Sequence, residues 1–122
     1  MSKTILLVDD SATSRMKSRA LFGNQSGYEV VSACDGKEGV EKALALKPDL
    51  ILMDVEMPRM SGIEACRALR QNDATRTTPI ILLTMRGEKS AVQTGFDSGC
   101  TEYMLKPVNE EKLLAVLKKY LR

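Results

Sequence analysis

The chain has 122 residues, of which 43% are apolar and 28% charged, with a net charge of +2. That profile suits one globular domain with one core, and the charge is too small, with no Lys/Arg block, to argue for a nucleic-acid binder. No apolar run approaches the roughly 20 residues that cross a bilayer, so membrane insertion is excluded, and the opening MSKTILLVDD has too short an apolar stretch for a signal peptide.

The first apolar run, TILLV (4–8), stops at Asp9 and Asp10. TSRMKSRALFGNQ (13–25) follows with helical spacing and puts Met16, Ala20 and Leu21 on one face, with Arg15, Lys17 and Arg19 expected on a solvated one. YEVVSA (28–33) is the second short run, and GKEGVEKALAL (36–46) the second helical stretch, with Val40, Ala43 and Leu44 aligned. The third run, DLILM (49–53), delivers Asp54, and GIEACRALRQN (62–72) aligns Ile63, Cys66 and Leu69. PIILL (79–83) stops at Thr84 and is followed by the weakest helical pattern, KSAVQTGFDSG (89–99), with Val92 and Phe96 inward. EYML (102–105) runs into Lys106 and Pro107. NEEKLLAVLKKYL (109–121) closes the chain with a stripe of Leu113, Val116, Leu117 and Tyr120, and with Asn109 placed to cap it. Gly27, Gly99 and the prolines at 48, 79 and 107 punctuate the joins.

Short apolar runs alternating with helical stretches, joined by short connections, imply a parallel sheet covered on both faces. Right-handed crossovers restrict the order of five strands and five helices. The expected fold is a flavodoxin-like, doubly wound α/β domain with strand order 2-1-3-4-5. A ligand in such a sheet binds beyond the carboxyl ends of the strands where their order reverses, here between the first and third strands.

The residues at those carboxyl ends are informative. Taken singly, Asp or Thr after a strand is an ordinary turn or capping residue. Together, Asp9, Asp10 and Asp54 flank the switch point, with Thr84 and Lys106 on the same rim. Converging carboxylates repel one another unless one is protonated or a cation joins them. A hard divalent cation with oxygen ligands resolves the conflict, and Mg²⁺ suits a site of two or three carboxylates, with Mn²⁺ as its substitute. A carboxylate also serves as a nucleophile that forms an acyl phosphate, and nearby positive charge stabilises the transferring group. Asp54 stands alone at its strand end and is the candidate nucleophile.

These motifs, VDD at 8–10, MDVEMPRMSG at 53–62, LLT at 82–84 and YMLKP at 103–107, give the chain a resemblance to the receiver domains of bacterial two-component response regulators, the CheY-like superfamily. The resemblance covers essentially the whole chain. It implies that Asp54 accepts a phosphoryl group from a histidine kinase or phosphotransfer protein. It implies that Mg²⁺ is held by Asp9, Asp10, Asp54 and the backbone carbonyl of Glu56. Lys106 would contact the acyl phosphate, Thr84 would move toward it, and Tyr103 would swing inward in concert. Pro58 and Gly62 would shape the loop after Asp54, and the Lys106–Pro107 bond would be cis. The output would be read by an unknown partner protein at the surface of the fourth helix, fifth strand and fifth helix, in the cytoplasm, without direct nucleic-acid contact. The chain ends just after its last helix, so a single receiver domain over 1–122 without an output domain is expected. A stand-alone regulator of chemotaxis, motility or a phosphorelay and a receiver excised from a larger regulator both fit. Such a protein is a switch that assists its own phosphoryl transfer and dephosphorylation rather than a conventional enzyme.

Three positions depart from the family pattern or tune it. Met85 replaces the small residue common after the Thr, and its bulk is expected to narrow access to the phosphate. Glu56 and Arg86 each lie two residues past a site residue and are expected to face each other across the mouth, tuning phosphate lifetime. The three cysteines (34, 66 and 100) form no CxxC, and the chain has no His, so small thiols in a reducing compartment are expected rather than zinc or disulfides.

Two other classes share part of the pattern. A flavodoxin-type cofactor binder would have this fold, and SATS (11–14) resembles a phosphate-cradling loop, but Asp9 and Asp10 would repel a phosphate without a metal. A haloacid dehalogenase-type phosphatase also uses an Asp nucleophile with Mg²⁺, yet its second Asp lies two residues on, where this chain has Glu56. A phosphorylation-independent scaffold is the third alternative, and the complete acid–Thr–Lys set argues against it.

Overall fold

The computed structural model describes residues 3–23 and 27–121. The strands are β1 (Lys3–Val8), β2 (Tyr28–Ala33), β3 (Leu50–Asp54), β4 (Ile80–Thr84) and β5 (Glu102–Leu105). The helices are α1 (Ala12–Gly23), α2 (Gly36–Leu46), α3 (Gly62–Arg70), α4 (Lys89–Asp97) and α5 (Glu110–Tyr120). All four strand pairings are parallel, and the sheet order is β2-β1-β3-β4-β5, as the alternation predicts. Asn24 and Gln25, the end of the first predicted helix, lie outside the described residues.

Strand alternation splits the core in two. Leu6, Val8, Ile51, Met53, Ile80 and Leu82 face the side covered by α2 and α3. Ile5, Leu7, Leu50, Leu52, Ile81 and Leu83 face Phe22 of α1 and Leu113 and Leu117 of α5. All of β3 is buried because it is paired on both edges and covered on both faces, which is why its sequence reads as an unbroken apolar run.

Local chemistry sets the helix starts. Asp35 accepts the Glu38 N–H at 2.8 Å to begin α2. Ser61 and Glu64 form a reciprocal capping box at α3. Asn109 accepts the Lys112 N–H at 3.1 Å at α5, as its position predicts. Two helix faces differ from expectation. In α1, Met16 is 71% exposed and Ala20 is exposed, while Ser14, Ser18, Leu21 and Phe22 turn inward. One large ring, Phe22, anchors that helix, so the rest of its inner face can be small and polar. In α4, Phe96 is exposed and Gly95 is the buried residue, because a Cβ there would strike the Tyr103 ring. The helix lies flush on β5 only with the smallest side chain facing it.

Cys66 and Cys100 are buried and Cys34 is exposed. Burial pushes the Cys100 thiol up to about 12 and raises Cys66. Glu38, hydrogen-bonded beside Cys34, raises that thiol as well, so all three are shifted away from the thiolate form.

Candidate functional site

The site lies at the carboxyl ends of β1, β3, β4 and β5. Asp9 leaves β1 buried, with its backbone N–H still paired to the Ala33 carbonyl at 3.1 Å. Its Oδ1 accepts the Ser11 N–H at 2.9 Å, and its carbonyl accepts from the Arg15 guanidinium at 2.6 Å. Arg15 is thus half-buried and ties α1 to the end of β1, rather than lying on a solvated face. Arg19 likewise donates to the Ser32 hydroxyl at 2.6 Å. Asp10 is exposed.

Asp54 is the last residue of β3 and is buried. The loop after it turns back tightly: Gly62 N–H donates to the Val55 carbonyl at 2.9 Å, and Met60 N–H to the Pro58 carbonyl at 2.7 Å. A Cβ on Gly62 would overlap the Asp54 carbonyl, so only Gly lets α3 begin directly over this strand end. Arg59 takes a positive φ of 68° within the turn.

The carboxylates of Asp9, Asp10 and Asp54 offer oxygens that all lie within 4.8 Å of one another. Lys106 forms an ion pair with Asp54. The ammonium meets the buried Oδ1 of that carboxylate. Burial pushes the Asp54 carboxyl up to about 6; the Lys106 ammonium opposes the rise, and the Asp9 carboxylate adds to it. Three crowded carboxylates, whose mutual repulsion a single ammonium does not offset, are a donor set that fits a hard divalent cation. Asp9, Asp10 and Asp54 would hold it through oxygen. The Lys106–Pro107 peptide is cis, as expected, and Lys106 N–H donates to the Thr84 carbonyl at 2.7 Å.

Thr84 ends β4 and is buried. Its hydroxyl is engaged by Glu56, at 2.8 Å from Oε1 and 3.0 Å from Oε2. It also accepts the Arg86 N–H at 3.0 Å. The expected pairing of Glu56 with Arg86 is not formed. The Arg86 guanidinium lies 3.6 Å from Glu88, two residues further on, while Glu56 is drawn to the hydroxyl beside it. Met85 is 77% exposed, its side chain in solvent rather than over the acids.

Tyr103 is half-buried on β5, and its hydroxyl donates to the Arg86 carbonyl at 2.8 Å. Its ring centroid lies 6.2 Å from that of Phe96. Between Tyr103 and Thr84 is a cavity of about 250 Å³, also lined by Val55, Ile63 and Ala91. The structure therefore brings the three acids, Thr84 and Lys106 to one rim, with Tyr103 across the cavity from Thr84. Sequence reasoning missed the anchoring by Arg15, whose partner is a backbone carbonyl with no sequence signature, and the Glu56–Thr84 contact.

The arrangement places a buried carboxylate of raised pKa beside a lysine, with two further acids for a cation and a hydroxyl at hand. That set can accept and stabilise a transferred phosphoryl group. Known proteins resemble the chain in both sequence and fold. The family model described as response regulator receiver domain matches residues 5–118. The chain is 36% identical over 122 residues to the "DNA-binding dual master transcriptional regulator RpaA" of Synechocystis, covering all of this chain and 50% of RpaA. It thus spans half the length of that curated relative. Its fold superposes on the chemotaxis protein CheY4 of Vibrio cholerae with a TM-score of 0.90 and 36% identity, covering 99% of this chain and 100% of that one. The receiver domain of the sensor histidine kinase PA1611 of Pseudomonas aeruginosa, solved with magnesium in its active-site cleft, gives a TM-score of 0.90 at 29% identity, covering 98% of each chain.

Proposed function

Because the chain belongs to the response regulator receiver domain family, whose members are phosphoacceptor switches of two-component signalling, we propose that Asp54 is its phosphoryl acceptor. The observation that carries this reading is the buried Asp54 carboxylate paired with Lys106 and crowded by Asp9 and Asp10. An Asp54 oxygen attacks the phosphorus of a phosphohistidine on a kinase or phosphotransfer protein, the P–N bond breaks, and the freed imidazole takes up a proton. Mg²⁺, with Mn²⁺ as its substitute, would neutralise charge on the transferring group when bound by Asp9, Asp10, Asp54 and the Glu56 carbonyl. Lys106 holds the acyl phosphate, and its fixed charge needs no reorganisation during transfer.

The response of the fold runs from Thr84 to Tyr103. Moving the Thr84 hydroxyl toward the phosphoryl group breaks its bond to Glu56 and disturbs the Arg86 N–H that it accepts. The Arg86 carbonyl holds the Tyr103 hydroxyl, so the loop and the ring are coupled, and the cavity beside Thr84 has room for the ring. The output partner reads the face of α4, β5 and α5, where Phe96 and Leu105 stand exposed. A partner that binds the switched arrangement better shifts the population toward it. Of the three residues expected to tune the phosphate lifetime, Glu56 is the one whose side chain engages the site, through the Thr84 hydroxyl. Among the described residues no helix is long and apolar enough to cross a membrane, in keeping with a cytoplasmic switch that works through protein contacts, as in chemotaxis or a phosphorelay.

Beryllofluoride with Mg²⁺ mimics an acyl phosphate and tests this reading. Amide NMR is expected to show shifts around Asp54, Thr84 and Tyr103, and none of them in Asp54→Ala. A wild-type spectrum unchanged by the mimic would support a phosphorylation-independent scaffold instead.

A further inference from the structure

Strand pairing brings Glu56 to an unusual place. Asp54 is level with Leu83, and the Val55 N–H bond to the Leu83 carbonyl, at 2.9 Å, carries that pairing one residue beyond β3. Glu56 therefore arrives beside the end of β4. Its carboxylate accepts the Thr84 hydroxyl hydrogen bond, with the two oxygens at 2.8 and 3.0 Å, and the Met85 N–H points at Oε1 from 3.4 Å. The Thr84 oxygen is meanwhile held by the Arg86 N–H at 3.0 Å. Among the described residues no basic side chain pairs with Glu56, since Arg86 is taken by Glu88. An anionic side chain thus sits on a hydroxyl and an amide donor at the rim where Asp54 lies.

A carboxylate and a phosphoryl group seek the same donors, because both are anions whose oxygens accept charge-assisted hydrogen bonds. We propose that Glu56 is an internal anion placeholder, whose carboxylate holds the Thr84 and Met85 donors in the unphosphorylated protein and must be displaced when a phosphoryl group arrives on Asp54. This rests on the reading of Asp54 as acceptor and adds a competitor to it. The residue is exposed, so the displaced side chain rotates into water at little cost. Two effects oppose phosphorylation: the donors have to be freed, and a negative side chain stands close to an incoming anion. Glu56 thereby biases the resting protein toward the arrangement in which Thr84 is turned to the loop. The β3–α3 loop and the β4–α4 loop are latched together until that contact breaks.

Titration with beryllofluoride at fixed Mg²⁺, followed by amide NMR, tests the proposal. Glu56→Ala is expected to bind the mimic about three- to tenfold more tightly than wild type, the scale of one charge-assisted hydrogen bond partly exposed to water. Glu56→Gln keeps an acceptor without the charge and is expected to fall between them. The free protein supplies an independent readout: Met85 and Arg86 amide resonances should move in Glu56→Ala before any mimic is added. Glu88→Gln removes a nearby charge but leaves the Thr84 contact, and is expected to bind like wild type. If Glu56→Ala binds no more tightly than a wild type that does respond, or if Glu88→Gln tightens binding equally, the placeholder is overturned while Asp54 remains the acceptor. If no protein in the series responds, the acceptor reading falls and the placeholder falls with it.

Discussion

Replacing Asp54 with Asn is expected to stabilise the metal-free protein at neutral pH by up to about 3 kcal/mol, and to give no gain below about pH 4. The Asp54 carboxyl is raised to about 6 by burial, against Lys106 and with Asp9, whereas in the unfolded chain it titrates near the ordinary 3.8 of an aspartate. Between those values the folded protein binds more protons than the unfolded one, so this group's contribution to stability falls as pH rises. Above about pH 6 both states are ionised and the whole cost of the buried charge is present. Below about pH 4 both are protonated and the cost is gone. Asn has the shape without the charge, so it removes the cost only where the cost exists. Lys106 loses its ion partner in this variant, which keeps the gain under the full value. Urea unfolding of both proteins at pH 7.5 and at pH 4, in chelator, checks the prediction. A variant less stable than wild type at pH 7.5 would mean that the ion pair with Lys106 outweighs the burial. Millimolar Mg²⁺ should narrow the gap at pH 7.5, because it binds the folded wild type and spares Asp54 the same cost.

Lys106→Met is expected to lower the rate of Asp54 phosphorylation by a small-molecule donor such as acetyl phosphate by about 10²- to 10³-fold at saturating Mg²⁺, the effect of removing one preorganised charge from a transferring group. Methionine keeps the length and apolar stem of the side chain, and Lys106 is held by its backbone N–H to the Thr84 carbonyl at 2.7 Å, so the loop geometry should survive. The loss then belongs to the ammonium group. It should appear in the phosphorylation rate and not in Mg²⁺ affinity, which the departure of a positive charge leaves equal or stronger. A Lys106→Met variant phosphorylated at the wild-type rate would remove the residue from the chemistry.

The site was legible in the sequence because strand ends are. An apolar run that must be buried has to stop where the chain leaves the sheet, so the residues after TILLV, DLILM, PIILL and EYML are placed on one rim by topology alone. Met16 and Phe96 were misread because periodicity weights large apolar residues, whereas α1 is anchored by Phe22 and α4 needs Gly95 to clear Tyr103. Arg15 was missed because a guanidinium on a backbone carbonyl leaves no pattern to read. The supposed Glu56–Arg86 pair failed for a related reason. Equal spacing past two strand ends says how far two residues lie along the chain, not where their side chains turn. Arg86 found an acid two residues away in its own loop, and Glu56 found the hydroxyl that the strand register had brought beside it.

Asp54 is expected to carry the phosphoryl group. Borohydride reduces an aspartyl phosphate to homoserine, leaving a permanent mark at the acceptor. Treatment with acetyl phosphate and Mg²⁺, then borohydride, then peptide mapping by mass spectrometry, is expected to find homoserine at position 54 and to lose it when Mg²⁺ is chelated. Homoserine at Asp9 or Asp10 instead, or at no position, would contradict the claim.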